Sequence, residues 1–358
     1  MPAVRYTPLH MPFRIKDIAR DLGVSVLTMS KILRNQSGVG DSTRQRVLSR
    51  LRELKYEPNL AAQRPLRAPR YLAGLVVPDL LHPFFAEIGT SLSRALRQHA
   101  CGLIVASTEE DPDLEEQLIG QLLARGLDML FVAPCRPNLG LFQHVERKGT
   151  PYVLIDRTIP GLSANYVGVD DRAAGFLATK HLIEIGCRRI AHIQGPATSP
   201  GLQRAEGYRN ALAKYDIKFR DSFQISQPKG DVETKQQGVD GMEGLLTLQP
   251  VPDGVFCFND PIAMGAMNAA LYHGLRIPSD IAIIGCGNLH YDDSLRIPLS
   301  SINQNSRLIG EQAARLAFRI IHSPAKLPPK RLVLEPELVV RLSTERGKSL
   351  RARPTSWK

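Results

Sequence analysis

From Leu72 onward, short apolar runs alternate with longer stretches in which apolar residues recur at helical spacing. The runs are rich in Val and Ile and are apolar throughout rather than at every second position. Strands of this kind are buried on both faces, as in parallel sheets covered by helices. The sequence therefore predicts an α/β fold with strands at Leu72–Val77, Leu103–Ala106, Met129–Val132, Val153–Ile155, Ile190–Ile193, Val255–Phe258 and Ile281–Ile284.

Seven such strands are too many for a single sheet of ordinary size in a chain of 358 residues. Chains of this length usually contain more than one domain. We expect a core of two doubly wound parallel-sheet subdomains that divide near Gly168. The N-subdomain would span residues 72–168 and 306–330, and the C-subdomain 169–303 and 331–342. A last strand is expected at Arg331–Arg341, followed by a basic, disordered tail at 343–358.

The N-terminal part of the chain has a different pattern. Ile15, Ile18, Ala19 and Leu22 repeat at helical spacing, and the pattern resumes after Gly23. Two short amphipathic helices across a tight turn form a helix-turn-helix. Ala19 is small where the helices would cross, Gly23 can adopt the positive φ of the turn, and Ser25 can cap the second helix. The alternative is an ordinary helical hairpin inside a larger core.

A third helix is expected at Thr43–Lys55, capped by Asp41 or Ser42. Its apolar stripe would be Val47, Leu48, Leu51 and Leu54. Together these helices predict an all-α headpiece at residues 14–57, after an N-terminal tail at 1–13. The prolines of residues 58–71 allow at most a single helical turn, so this stretch is interpreted as a hinge or linker.

Charge is unevenly distributed along the chain. Residues 1–71 contain 14 Lys and Arg against 5 Asp and Glu, and residues 341–358 contain 6 against 1, within a total net charge of +11. The remaining body is therefore mildly acidic. A basic head on such a body is typical of a polyanion-binding module joined to a ligand-binding or catalytic domain.

The five cysteines are scattered singly, without the spacing of a metal site. We expect buried thiols in a reducing cytoplasm and neither disulfides nor metal. The chain has no long apolar run and no N-terminal segment that resembles a signal peptide. Gly285-Cys286-Gly287 lacks the third glycine of a dinucleotide motif, and no local catalytic grouping is present. The sequence therefore disfavours enzyme activity and predicts no cofactor.

Several side chains suited to ligand binding fall at strand ends or on early helical turns. Because ligands of doubly wound folds collect at the carboxyl ends of strands, these side chains could line a polar cleft for a small molecule. Phe84 and Phe85 could stack on a flat ring or a sugar face, although packing under the first core helix is an alternative. The polar candidates, each of which could also be a cap or turn residue, are Asp79, Asp156, Arg204, Asn259, Asp260 and Gln304.

Several segments together resemble the lac repressor/galactose repressor family of bacterial transcription regulators. They include IKDIARDLGVS with MSKILRN, LKYEPNLAA, GLVVPDLLHPFFAEI, HLIEIGCRRIAHIQGP and GLRIPSDIAIIG. The resemblance covers about Arg14 to Leu342. It implies a nucleoid-associated cytoplasmic homodimer with a periplasmic-binding-protein-like core. A small-molecule effector would bind between the two core subdomains, and hinge segments of two subunits would pair in the minor groove of operator DNA.

The resemblance also assigns roles to individual residues. Val26, Leu27 and Lys31 match positions that read bases in the major groove, and Ser25, Thr28, Ser30 and Arg34 match phosphate contacts. The hinge residues are Asn59, Ala62, Pro65 and Leu66. Pro65 stands where the family has an intercalating leucine, so either Pro65 or Leu66 would wedge between base pairs.

The expected effector site departs from the family pattern at one point. Where the family has Gly-aromatic-Asp-Asp, this chain has Gly285-Cys286-Gly287-Asn288, so the carboxylate that often accepts sugar hydroxyls is missing. Arg204, Asp156 and Asn259 remain, and Asn288 joins the candidates. The effector is expected to be a sugar, a sugar derivative or another metabolite.

The leading hypothesis is a dimeric repressor that binds a pseudo-palindromic operator. A solute-binding protein, a sugar-processing enzyme with an incidental helical head, and an activator are the alternatives. No leucine heptad follows Leu342, which favours a dimer over a helical tetramer.

Overall fold

A computed structural model describes residues 15–33, 38–54, 71–226, 234–325 and 327–346. The chain forms two compact units, Met1–Ala68 and Pro69–Lys358. The predictions for the N-terminal tail, for Arg34, for the hinge residues Asn59, Ala62, Pro65 and Leu66, and for residues 347–358 fall outside the described residues.

The described part of the headpiece contains three helices, α1 (Ile15–Asp21), α2 (Val26–Leu33) and α3 (Asp41–Glu53). Gly23 lies in the turn with a φ of 64°, as the sequence predicted, because only glycine adopts this conformation without a steric cost. Ser25 precedes α2, and its Oγ accepts a hydrogen bond from the Thr28 backbone N–H at 3.0 Å. The predicted N-cap is confirmed.

The headpiece core contains one apolar face from each helix. Its buried side chains are Ile18, Ala19, Met29, Ile32, Val47 and Leu51. Two expectations were wrong. Leu48 is 37% exposed rather than part of the core stripe, and α3 begins at Asp41 itself, because the Arg44 N–H already donates to the Gly40 carbonyl. Arg50 of α3 pairs with Asp21 of α1 at 3.0 Å.

The core begins with a six-stranded sheet of order β11-β5-β4-β3-β1-β2, in which all neighbouring strands are parallel. Four helices of the N-subdomain pack against this sheet, namely α4, α5, α6 and α11. Helix α11 also packs against α4. The strands are β1 (Tyr71–Val77), β2 (Cys101–Ser107), β3 (Met129–Val132), β4 (Tyr152–Ile155), β5 (Tyr166–Val169) and β11 (Arg331–Leu334). The helices are α4 (Pro83–Arg97), α5 (Pro112–Ala124), α6 (Leu139–Arg147) and α11 (Ser306–Ile321).

The C-subdomain contains a second six-stranded sheet of order β12-β10-β9-β8-β6-β7. Only β12 runs antiparallel to its neighbour. The strands are β6 (Ile190–Gln194), β7 (Gln224–Ser226), β8 (Gly254–Cys257), β9 (Ala282–Gly287), β10 (Ser300–Asn303) and β12 (Glu337–Val339). The helices are α7 (Asp171–Glu184), α8 (Ser199–Lys214), α9 (Thr234–Leu246) and α10 (Asp260–Tyr272).

The chain passes between the two sheets after β5, after β10 and after β11. The last crossing corrects the expected boundary. Residues 331–334 were assigned to the C-subdomain as part of one strand, but Arg331–Leu334 pairs with β5 of the N-subdomain, and only Glu337–Val339 joins the second sheet. The sequence of an apolar strand does not show which sheet the strand joins, because that depends on the neighbouring strand with which it pairs.

The sequence analysis missed β5, β7 and β10. β7 and β10 contain Gln, Ser and Asn, and β5 is a four-residue strand interrupted by Gly168, so none forms a continuous Val- and Ile-rich run. All five cysteines are buried and free, as expected. Among the described helices, none is both long and apolar enough to cross a membrane.

Candidate DNA-binding and effector-binding sites

Helix α2 has one buried face and one exposed face. Met29 and Ile32 are buried in the headpiece core, whereas Val26, at the start of the helix, is 44% exposed. Lys31 and Thr28 are half-buried. The Ser25 and Thr28 hydroxyls hydrogen-bond to each other at 2.8 Å. The side chains of Leu27 and Ser30 lie outside the described part of the chain. The N-terminal end of α2 therefore presents Val26 to solvent, as a major-groove reader requires.

The centre of the core site is the buried guanidinium of Arg204, on α8. It pairs with the carboxylate of Asp171, the first residue of α7, at 2.7 Å. It also donates to the Phe258 carbonyl at 2.7 Å, and it lies 4.5 Å from the centre of the Phe258 ring. These contacts fix Arg204 at the carboxyl end of β8, where the sequence analysis expected the ligand to bind.

Asp156 follows β4 of the N-subdomain and has a φ of 61°. Left-handed backbone is uncommon for a residue with a side chain and is frequent at functional sites. Burial opposes the charge of Arg204, but Cys286, Asp171 and Asp156 outweigh it and raise the pKa of Arg204 above its ordinary value. Asp156 and Arg204 are thus electrostatically coupled although they belong to different subdomains.

Asn259 connects the two sides of this site. Its Oδ1 caps α10 by accepting from the Ile262 N–H at 2.9 Å, and its Nδ2 lies 3.2 Å from Nε2 of His82. His82 precedes α4 in the N-subdomain, and both side chains are buried. The predicted residue Asn259 therefore has both a capping role and a contact across the cleft.

Three other candidates have structural roles of their own. Phe84 and Phe85 belong to the first turn of α4 and are buried in the N-subdomain core, with ring centres 5.2 Å apart. The expectation that they stack on a ligand is therefore replaced by the packing alternative. Asp79 accepts the Leu81 N–H at 2.8 Å, which is the geometry of a turn residue.

The remaining candidates surround the end of β9. Asp260 is completely buried and hydrogen-bonds to Ser301 and Leu289, so it lies behind the cleft wall. Asn288 accepts from Arg341 at 2.7 Å. Gln304 is buried, and its Nε2 has no hydrogen-bond partner within the described residues. Of these three side chains, the Gln304 amide has a donor available for a ligand.

A cavity of about 270 Å³ opens between the subdomains. Its N-subdomain wall follows β3 and β4 and includes Pro134, Pro137 and Thr158, and its C-subdomain wall at the start of α8 includes Thr198 and Leu202. Its mainly apolar walls with a few polar groups resemble a small-molecule site.

Two residues that line this cavity, Arg157 and Thr158, make polar contacts with other parts of the core. Arg157 is buried and pairs with Glu110 at 2.6 Å. The Thr158 N–H donates to Oγ of Ser199 at 2.8 Å, which joins the two walls.

Sequence reasoning missed His82, Asp171, Phe258 and Arg157 as site residues. His82 and Arg157 follow strands that the sequence predicted, and Phe258 is the last residue of another, so a search of all strand ends would have found them. Asp171 could not be found in this way, because the preceding strand β5 was not recognised.

Two family models match the chain. Residues 14–59 match the lacI family of bacterial regulatory proteins, and residues 179–344 match the periplasmic binding protein-like domain. The first match covers the three headpiece helices, and the second covers most of the C-subdomain together with α11 and β11.

Similar proteins extend over nearly the whole chain. The transcriptional regulator DegA of Bacillus subtilis is 29% identical over 338 residues, which are 93% of this chain and 98% of DegA. The transcriptional repressor PurR of Mannheimia succiniciproducens is 30% identical over 340 residues, with the same coverage of 93% and 98%.

Among solved structures, the transcriptional regulator CelR in complex with cellobiose has a TM-score of 0.71 at 30% identity, and the match covers 92% of this chain and 99% of CelR. The relatives are transcription regulators rather than enzymes. With a helix-turn-helix headpiece and a two-subdomain core, this chain belongs to the lacI family of bacterial regulatory proteins.

Proposed function

We propose that this protein is a repressor that binds a pseudo-palindromic operator as a homodimer and is switched by a small molecule bound between its core subdomains. The observation that carries the DNA-binding part is the exposed N-terminal face of α2. Val26 is exposed while Met29 and Ile32 hold the opposite face in the headpiece core.

In the proposed complex, α2 lies in the major groove with Val26, Leu27 and Lys31 toward the bases. Val26 and Leu27 can contact thymine methyl groups, and Lys31 can donate to guanine. Ser25, Thr28, Ser30 and Arg34 are proposed to contact phosphates. The hinge residues Asn59, Ala62, Pro65 and Leu66 are proposed to enter the minor groove, with Pro65 or Leu66 as the wedge.

Exposed apolar side chains on the core support the homodimer. Leu81 is 90% exposed and Val105, on the edge strand β2, is 41% exposed. Tyr272, at the end of α10, is 86% exposed. An edge strand with exposed apolar side chains invites pairing. A second copy of this chain would cover such surfaces and place two headpieces on half-sites roughly one helical turn apart.

The proposed effector is a small, mainly uncharged metabolite such as a sugar derivative. CelR is described as a complex with cellobiose, and a lacI-family regulator from Enterococcus faecium with bound ribose has a TM-score of 0.67 at 26% identity. In this chain, the cleft groups suited to such a ligand are Asp156, His82, Asn259 and Gln304. The absent carboxylate at position 287 leaves fewer acceptors for sugar hydroxyls.

Replacing Lys31 with Ala is expected to weaken operator binding about 5- to 150-fold more than it weakens binding to random DNA, because a base contact typically contributes about 1–3 kcal/mol of discrimination. Fluorescence anisotropy with both duplexes measures the two losses. Arg20→Ala, which removes the same charge from the end of α1, is the matched control and should affect both duplexes alike. Equal losses in Lys31→Ala would mean that Lys31 contacts only phosphate.

A metabolite panel tests the effector site. A true effector should stabilise the protein by about 2.7 kcal/mol at a concentration one hundred times its dissociation constant, which raises the melting temperature. Gln304→Met should reduce this shift, whereas Gln121→Met on the exposed face of α5 should not. If neither variant changes the shift, the ligand binds elsewhere.

A further inference from the structure

Two carboxyl groups of the C-subdomain are completely buried beside each other. Asp260 is the first residue of α10, and Asp292 lies in the loop between β9 and β10. Leu289 joins the two residues, because its backbone N–H donates to Oδ2 of Asp260 at 3.2 Å and its carbonyl accepts from the Asp292 N–H at 3.0 Å. Two carboxylates buried beside each other cannot both be ionised without a large electrostatic cost.

The Asp260 carboxylate already accepts two hydrogen bonds. Ser301 Oγ donates to its Oδ1 at 2.6 Å, and the Leu289 N–H donates to its Oδ2 at 3.2 Å. The carboxylate also fills the space beside Gly285 and Gly287, where a Cβ would overlap it. Asp260 is therefore fixed in position as an acceptor.

Asp292 has no comparable donors. Neither of its carboxylate oxygens has a hydrogen-bond donor among the described residues. The nearby guanidinium of Arg341 instead donates to the Leu299 carbonyl at 2.8 Å and to Asn288 at 2.7 Å. A buried ionised Asp292 would thus lack a side-chain donor, and Arg341, whose guanidinium is bonded to other groups, would stabilise its charge only from a distance.

Among the other titratable groups that face the pair, His82 is the one that can carry a positive charge, and it acts on Asp260. His82 faces Asp260 from the N-subdomain, and Cys257 and Cys286 face it from β8 and β9. Tyr291 lies in the same loop as Asp292. Burial raises the pKa of both thiols, that of Cys286 to about 12, so they are neutral.

We propose that Asp292 is protonated at neutral pH and donates a hydrogen bond to the Asp260 carboxylate, and that this proton holds the loop of residues 288–299 in place. Burial, with the adjacent charge of Asp260, raises the pKa of Asp292 to about 9, which agrees with this geometry. The inference goes beyond the proposed regulatory function and does not depend on it.

The consequence reaches the other subdomain. Leu289, in the same loop, is buried within the core cluster of the N-subdomain, and Tyr291 packs against that cluster. Loss of the proton would place two negative charges side by side and release this loop. The pair is therefore a proton-dependent clasp between the two core subdomains.

The pH dependence of stability tests the proton. Because the folded pKa is raised above its unfolded value, the stabilisation is fully present below about pH 4 and is lost as the pH rises toward about 9. In this window the unfolding equilibrium constant of the wild type should rise by up to about tenfold per pH unit relative to Asp292→Asn, which cannot ionise and can donate the same bond. Asp293→Asn, an exposed neighbour with the same charge change, should follow the wild type. Parallel profiles for Asp292→Asn and the wild type would overturn the proposal.

Two measurements on the full chain complete the test. Infrared difference spectra at pH 7 should show a protonated carboxyl group in the wild type and in Asp293→Asn but not in Asp292→Asn. If the wild type lacks this signal, the shared proton is contradicted, and this result does not depend on whether a variant folds. Hydrogen exchange above pH 9 should show the loop at residues 288–299 losing protection in the wild type while Asp292→Asn keeps it. Equal loss in both proteins would refute the clasp.

Discussion

Replacing Asp171 with Asn is expected to destabilise the C-subdomain by about 3–5 kcal/mol, because it leaves the buried charge of Arg204 without its counter-ion. Arg204 and Asp171 are each only 3% exposed and lie 2.7 Å apart. For a subdomain of this size, the melting temperature should fall by about 6 to 20 °C. Thermal unfolding followed by circular dichroism measures the change.

Asp170→Asn is the matched control, because Asp170 caps α7 through the Ala173 N–H and Asn caps a helix equally well. It makes the same charge change one residue earlier and should cost little. The combined variant Asp171→Leu with Arg204→Met should recover much of the lost stability, since apolar side chains can replace a buried ion pair. If Asp171→Asn costs no more than Asp170→Asn, the ion pair does not hold α7 against α8.

Operator affinity is expected to fall by about a factor of 10³ to 10⁵ between about 50 and 200 mM salt, if the proposed dimer neutralises about six to ten phosphates. The cause is the release of counter-ions from DNA when the basic headpiece binds. Anisotropy titrations at a series of salt concentrations give the slope of affinity against salt.

A duplex of the same length without the operator serves as the control. It should bind more weakly at every salt concentration and lose affinity with a similar steep slope, because phosphate contacts supply most of its binding. A flat response with the operator would remove the phosphate-neutralisation argument and with it the role proposed for the headpiece charge.

Local sequence patterns were sufficient for features that depend on neighbouring residues. The turn at Gly23 and the cap at Ser25 need only a positive φ and a hydroxyl three residues before an N–H. The apolar runs at β1, β3 and β6 predicted buried strands, because a strand covered on both faces must be apolar throughout. The helix-turn-helix and the parallel-sheet core were predicted in this way.

Strand pairing and side-chain partners required the tertiary structure. β10 contains two serines and an asparagine, and it becomes a strand because its backbone pairs with β9 and β12. Phe84 and Phe85 follow β1, where a ligand could have contacted them, but they belong to the first turn of α4 and are buried in the N-subdomain core. The sequence position of these two rings is the same whether they contact a ligand or pack in the core, so the sequence could not distinguish the two roles.

The sequence by itself determined the apolar strands of the core and the three headpiece helices. Only the tertiary structure decided that Arg204 pairs with Asp171, that β11 belongs to the first sheet, and that Asp260 faces Asp292 behind the cleft. Periodicity and capping act over a few residues, whereas the partner of a buried polar group is fixed by the order of strands that are distant in the chain.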